Sequence, residues 1–416
     1  MSAKRICPAL YLVLGSCMMS ALSPPAVAEE AQVSFRGIAI PDRSGTVMTV
    51  AGPADPGELG ITLPHEHVFI DQSTPYVDKS RWKASKFEFP ITDDERKLWT
   101  EPFTARSRGK FLYKMFGSNR DVLILDNAED ALAELSDFRA SGGATLVDVT
   151  TAGLGRDSRR LADISRRSGV RIVMGAGLYR AAYHPPEIDG LSIDDLTERM
   201  VREIVEGVDG TGIKAGIIGE IGAEDLTRLP RESNEVRVLR AAARASRLTG
   251  AAITLHNFFG KNHIWHSALE ILEEEGADLG RVVMGHVTAD SATDLGFLEN
   301  LLRRGVFIQF DTLGAPFAIA IPEIDNRPNI VAIRELIKRG HAGRMLLSQD
   351  VCTKFQLKKF GGFGYDFILS NLVPHLRASG VAEQDIEMMT VRNPAKLLTF
   401  AKPRPLAASQ GPARGD

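Results

Sequence analysis

The sequence predicts a single (β/α)8 barrel. Three observations carry that expectation. Eight short apolar runs recur along the chain, segments of helical periodicity separate them, and 416 residues suffice for one large domain of this kind. The runs are nearly continuous in hydrophobicity, as parallel strands buried on both faces require. The alternative, an open doubly wound sheet, calls for a phosphate-binding glycine loop after the first strand, and none stands there.

From the N-terminus, Lys4 and Arg5 precede an apolar stretch from Ile6 to Leu22, then Ala26-Val27-Ala28 and the acidic pair Glu29 and Glu30. This order reads as a secretory signal peptide over 1–28, so the mature chain is expected in the periplasm or secreted. Leu14-Gly15-Ser16-Cys17 resembles a bacterial lipobox and offers an alternative, a lipoprotein anchored through Cys17. An uncleaved anchor is a third reading, for which the apolar stretch is marginal. Cleavage after Ala28 leaves Cys352 as the one cysteine of Cys7, Cys17 and Cys352, which rules out an internal disulfide in the mature chain. Residues 29–45 read as a linker.

The barrel is expected over 46–400. Its strands are read at Ile61–Ile70, Ala144–Thr150, Arg171–Tyr179, Ala215–Gly222, Ala251–Asn257, Arg281–Val287, Val306–Asp311 and Met345–Asp350. Helical spacing joins Ala128, Ala131, Leu132, Leu135 and Phe138, with Asn127 placed as N-cap. A second helix runs from about Glu232 to Thr249 and stops at Gly250. The stretch from Gln72 to Asn119, with Trp82, Lys86, Trp99 and Arg106, is too long for a plain loop and reads as an insertion at the barrel mouth. Gly361, Gly362 and Gly364 fall in the segment from Cys352 to Tyr365, which can form a lid or a static surface loop. The tail over 401–416, rich in proline and glycine, reads as disordered.

The formal net charge is −3 with both signs scattered, so no basic stripe invites nucleic acid. A small-molecule substrate is the expected partner. The mature chain is expected to be soluble unless Cys17 is lipidated, and a homodimer is left open.

His65-Glu66-His67 lies in the first predicted strand, and a spacing of two puts both imidazoles on one face. Alone, such a pair is weak support for a metal. Glu220, His256, His286 and Asp350 strengthen it, because each falls near the end of a predicted strand, the barrel face where active sites are built. Imidazoles ligate metals, and carboxylates can bridge two ions. His184, His263, His266, His341 and His375 fall in predicted loops or helices.

Here the sequence resembles the phosphotriesterase family of the amidohydrolase superfamily. The resemblance is carried by Leu63-Pro64-His65-Glu66-His67, the run from Gly216 to Gly222, Gly285-His286, Gln309-Phe310-Asp311, Leu347-Ser348-Gln349-Asp350, Gly361 to Tyr365, and Asn393-Pro394-Ala395. It implies that His65, His67 and Asp350 ligate a more buried ion, that His256 and His286 ligate a more exposed one, and that Glu220 bridges both. It implies two divalent ions per subunit, with zinc the expected metal. Many members bridge through a carbamylated lysine. Glu220 instead resembles the phosphotriesterase-homology branch, and Lys214, six residues earlier, is poorly placed to bridge. Two departures stand out. Thr312 follows the aspartate ending strand seven where phosphotriesterases and lactonases often carry His or Arg, and Ala289, beside Asp290, occupies a proton-relay aspartate position. Tyr179 and Thr312 are candidate substrate contacts; Arg180, Tyr183 and His184 can line the same pocket or simply pack a loop.

Two divalent ions ~3.5–4 Å apart make a hydroxide available near neutral pH. Asp350 is the expected proton acceptor, later returning the proton towards the leaving group. The reading is therefore a metal-dependent hydrolase in which a hydroxide bridging the ions attacks a carboxylic ester, lactone or amide. Phosphotriester hydrolysis is the alternative, set back by Thr312 and Ala289. A non-catalytic metal-binding barrel is a second class, and a metal-dependent nuclease is disfavoured by the absence of a basic cluster.

Overall fold

The structure, a computed structural model, describes residues 33–77, 93–112, 119–257, 262–287, 294–314 and 326–406. The proposed signal peptide, Trp82, Lys86, Ala289 and Asp290 lie outside the described residues.

Eight parallel strands form one sheet in chain order: β1 (Ile61–Glu66), β2 (Gly143–Asp148), β3 (Arg171–Ala176), β4 (Ile217–Gly222), β5 (Ile253–His256), β6 (Val282–Met284), β7 (Phe307–Phe310) and β8 (Met345–Leu347). Seven lie inside the runs that predicted them, and β2 begins one residue before its run. Helices alternate with them: α1 (Ala128–Ala140), α2 (Ser158–Ser168), α3 (Ile193–Val205), α4 (Asn234–Thr249), α5 (Asn262–Glu274), α6 (Leu295–Arg303) and α7 (Asn326–Lys338). Closure between β8 and β1 runs through Ser348, whose hydroxyl oxygen accepts from His65 N at 3.1 Å and lies 2.9 Å from His65 O. Two backbone bonds extend the seam, Asp350 N to His65 O and His67 N to Val351 O. The result is a (β/α)8 barrel.

The predicted caps form. Asn127 accepts from Glu129 N and Asp130 N at the start of α1. Gly250 ends α4 with φ +78°, a left-handed conformation that suits glycine. Alternation along the strands sends Val147, Val173, Ile217, Val283, Phe307 and Leu346 into one buried apolar cluster with Val47, Leu59, Leu397 and Leu398. Thus the hairpin at Val47–Thr49 and Gly52–Ala54 and the last helical turn, Asn393–Leu398, cover the floor of the barrel.

Two expectations need correction, and a third, left between two alternatives, is narrowed. The stretch read as a linker is structured from Val33 onward: Ser34–Phe35 pairs with Ile38–Ala39, and Ile38 and Ile40 are buried. The tail read as disordered is held through residue 406, because Ala401 N donates to Gly250 O and Arg404 N to Arg247 O. Backbone pairing to distant segments overrides their polar, proline-rich composition. The segment from Cys352 to Tyr365 is anchored rather than free: Arg108 donates to Phe355 O and Phe360 O, Lys358 N to Glu134, and Gln349 Nε2 to Gly364 O. Phe103, from the insertion, packs its ring 4.8 Å from Phe355 and 5.2 Å from Phe360. These contacts favour the static loop over the lid.

Candidate metal centre

All six residues singled out as ligands meet at the C-terminal rim. His65 Nε2 lies 3.5 Å from Glu220 Oε1 and 3.7 Å from Asp350 Oδ1, and His67 Nε2 lies 3.2 Å from Asp350 Oδ1. Across the mouth, His256 Nδ1 and His286 Nε2 stand 2.8 and 2.9 Å from Glu220 Oε1, and 2.9 Å from each other. Two overlapping triplets, His65–Glu220–His286 and His65–His67–Asp350, bring their donor atoms within 4.8 Å of one another.

Three of these residues need backbone that strand periodicity does not supply. Ile217 points into the barrel, so Glu220, three residues on, would point out of a regular strand. The β4–β5 pairing shifts register between Ile218 and Ile221, which turns Glu220 inward. Gly219 makes room with φ +130°, and a Cβ there would stand 2.4 Å from Thr254 O. His286 and Asp350 adopt φ +58° and +52°, uncommon for residues other than glycine. Both are held from outside. His286 N donates to both oxygens of Asp311 at 3.0 Å, and Gln356 Nε2 donates to Asp350 O at 2.6 Å.

Sequence reasoning left the supporting shell unassigned. Asp311 accepts from His286 Nδ1 at 2.9 Å and lies 3.4 Å from His65 Nδ1. Glu66, pointing away from its histidine neighbours, accepts from Ser348 Oγ, Gln349 N and Val351 N, tying β1 to the segment that carries Asp350. Thr150 Oγ1 lies 2.9 Å from His67 Nδ1. The signal available in sequence was position alone: Asp311 ends β7 as Asp350 follows β8.

The electrostatics call for cations. Burial would lower the His65 imidazole, but Glu220, Asp311 and Asp350 raise it to about 9. His286 is likewise raised well above the usual histidine range by Asp311 and Glu220, against burial. Burial pushes the Glu220 carboxyl up, yet the charges of His256 and His65 and bonds from His256 and His286 hold it well below its ordinary value. For Asp350, burial is overcome by the bond to His67 and by the charges of His65 and His286. Among the described residues, neither ring nitrogen of the fully buried His65 has a hydrogen-bond partner. Nitrogens converging on carboxylate oxygens in a buried cleft fit divalent ions.

Tyr179, a candidate substrate contact, reaches the site: its hydroxyl is 3.1 Å from His256 Nδ1. Thr312 is buried directly after Asp311. Arg180, Tyr183 and His184 brace the surrounding loops. Arg180 pairs with Glu224, Tyr183 donates to Gln72 O, and His184 Nε2 lies 2.8 Å from Tyr179 O. Lys214 lies before β4 and lines a separate cleft with Met48, Val50 and Pro53. His266, His341 and His375 make their contacts on helices and loops away from the rim, with Arg304, Glu299 and Asn371.

A barrel with histidines and carboxylates gathered at its C-terminal rim defines a candidate metal site on the face where barrel enzymes build their active sites. The model of the phosphotriesterase family matches residues 45–398, and the chain belongs to that family, whose members are binuclear metal-dependent hydrolases. An N-acetyltaurine hydrolase from Xenopus tropicalis is 33% identical over 365 residues, covering 86% of this chain and 99% of the relative. A resiniferatoxin-binding protein from Rhodobacter sphaeroides superposes with a TM-score of 0.77 at 35% identity, over 86% of this chain and 95% of that one. A lactonase from Listeria monocytogenes superposes with a TM-score of 0.66 at 27% identity, over 86% and 100% of the two chains.

Proposed function

We propose that this hydrolase cleaves the amide bond of small N-acylated amines, with N-acetyltaurine as the first substrate to try. The observation that carries the reading is the rim cluster, five residues in two overlapping metal-capable triplets with His256 against Glu220, in a chain that aligns with almost the whole length of an N-acetyltaurine hydrolase. In this reading His65, His67 and Asp350 hold one ion, His256 and His286 hold the other, and Glu220 bridges. Zinc suits a donor set of imidazoles and carboxylates. Such ions supply Lewis-acid polarisation of the scissile carbonyl and activation of water when bound.

The chain's own groups do the rest. Asp350, a carboxylate at neutral pH, accepts the proton from the attacking water and passes it to the leaving amine. Glu66 and the seam to β1 fix Asp350 in place. Tyr179 keeps its proton, because burial and Glu220 raise its hydroxyl well above the usual range, and so can donate to a substrate oxygen. Asp311 orients His286.

The second reading, lactone hydrolysis, is favoured by the likeness to the Listeria lactonase. The test is a side-by-side assay of the mature protein loaded with zinc, following acetate release from N-acetyltaurine and N-acetyl amino acids and ring opening of a lactone panel. Turnover of amides at least tenfold faster than lactones supports the proposal; the reverse order replaces it with the lactonase reading. Metal analysis of the same sample should give close to two ions per chain, acquired without added bicarbonate because Glu220 already carries its carboxylate. Export belongs to the same proposal and is tested by N-terminal sequencing of the mature chain.

A further inference from the structure

Glu224 has no role in the sequence reading, yet it is a buried, ion-paired carboxylate next to the rim. It follows β4 by two residues. Its Oε1 lies 3.3 Å from His256 Nε2 and 2.5 Å from Arg180 Nε, and its Oε2 accepts from Arg180 Nη2 at 3.0 Å. The Glu224 and Arg180 side chains are only 2% and 7% exposed. A second carboxylate, Glu235 at the start of α4, fixes both loops. It accepts from Glu224 N and Asp225 N at 2.6 and 2.7 Å, and from Ala181 N at 2.8 Å. Arg180 and Glu224 are thus delivered from the ends of two different strands to one point behind His256.

The two nitrogens of His256 face different neighbours. Nδ1 faces the centre, 2.8 Å from Glu220 and 2.9 Å from His286, whereas Nε2 faces Glu224 at 3.3 Å; the Tyr179 hydroxyl sits edge-on, 3.1 Å from Nδ1 and 3.5 Å from Nε2. A neutral imidazole has one lone-pair nitrogen, and the hydrogen bond made by the other decides which it is. The geometry points to Glu224 as the positioning residue of His256: it accepts Nε2–H and so leaves the Nδ1 lone pair facing Glu220, available to a metal. Arg180 holds the carboxylate in register. A buried ion pair is weak support for stability by itself, so its seat against a ligand imidazole gives it a task. The competing reading is a clamp between the loops after β3 and β4 that leaves metal binding untouched. The inference rests on His256 being a metal ligand.

The experiment loads metal-free full-length mature protein with Co2+ and measures both dissociation constants by chelator competition, together with the visible spectrum, for wild type, E224A, E224Q and R180M. Wild type should hold two ions. E224A should bind one of them about 10- to 100-fold more weakly with an altered spectrum, while the other ion keeps its affinity. E224Q, whose amide oxygen still accepts Nε2–H, should recover part of the loss, and R180M should fall between wild type and E224A. Wild-type affinities and spectrum in E224A, with only a lower melting temperature, establish the clamp and overturn the proposal. If E224A does not fold, E224Q decides: weakening of one ion by about threefold or more supports the proposal, and unchanged affinities overturn it. Wild type binding fewer than two ions would refute the binuclear reading itself, a failure visible before any variant is compared.

Discussion

The floor and the rim of this barrel are built from the same strands and differ in almost every other respect. On β7, Phe307 sits in the apolar floor cluster, and Asp311, four residues on, sits among imidazoles. Leu346 on β8 and Asp350, in the segment that follows it, repeat the relation. The floor obeys strand alternation and is closed by Leu397 and Leu398. The rim breaks alternation at Glu220 and His286 and is held by hydrogen bonds from outside the strands. The floor therefore sets stability, whereas the rim places charge and donor atoms where water alone would not gather them.

If that division holds, Phe307→Ala should show the largest loss of stability, about 3–5 kcal/mol, because a cavity opens in a packed floor. Denaturant melts with and without metal should show the same loss, and a metal-dependent loss would break the division. Asp350→Asn should do the opposite. Turnover should fall about 10²- to 10⁴-fold at normal metal content with little change in KM, while the metal-free melting midpoint barely moves. Unchanged turnover in that variant would remove Asp350 from proton transfer.

The anchored segment after β8 gives a weaker, pH-dependent contrast. Burial raises the Glu134 carboxyl from 4.5 to about 7, although Lys358 N and the Lys358 charge oppose it. A carboxyl raised in the folded state favours folding fully below its unfolded value, and that contribution is lost as pH rises through about 7. Stability should thus decline across pH 4.5–7 by at most about 3 kcal/mol from this group, and Glu134→Gln should flatten the decline. Equal pH dependence in wild type and variant would show that Glu134 does not titrate in this window. The smallest effect belongs to a helix outside both regions. Asn127→Ala removes the cap of α1 and should cost about 1 kcal/mol in thermal or denaturant melts, with metal content and turnover unchanged.

The sequence by itself determined the eight strands, the caps at Asn127 and Gly250, and the identity of the six rim residues. Those features are local: apolar runs, a capping residue, a left-handed glycine, and polar side chains placed where strands end. Spacing also explains why His65 and His67 share a face. Only the tertiary structure decided that Glu220 and His286 turn inward, because a register shift and a positive φ override a period of two. It also decided the supporting shell. Glu66 meets the backbone of Val351, Asp311 meets His286, and Glu224 meets His256 and Arg180 across separate strands. The same holds at the ends of the chain, where Ile40 is buried and Ala401 N bonds to Gly250 O. Such contacts join residues far apart in sequence, and hydrophobic period and local propensity carry no record of them.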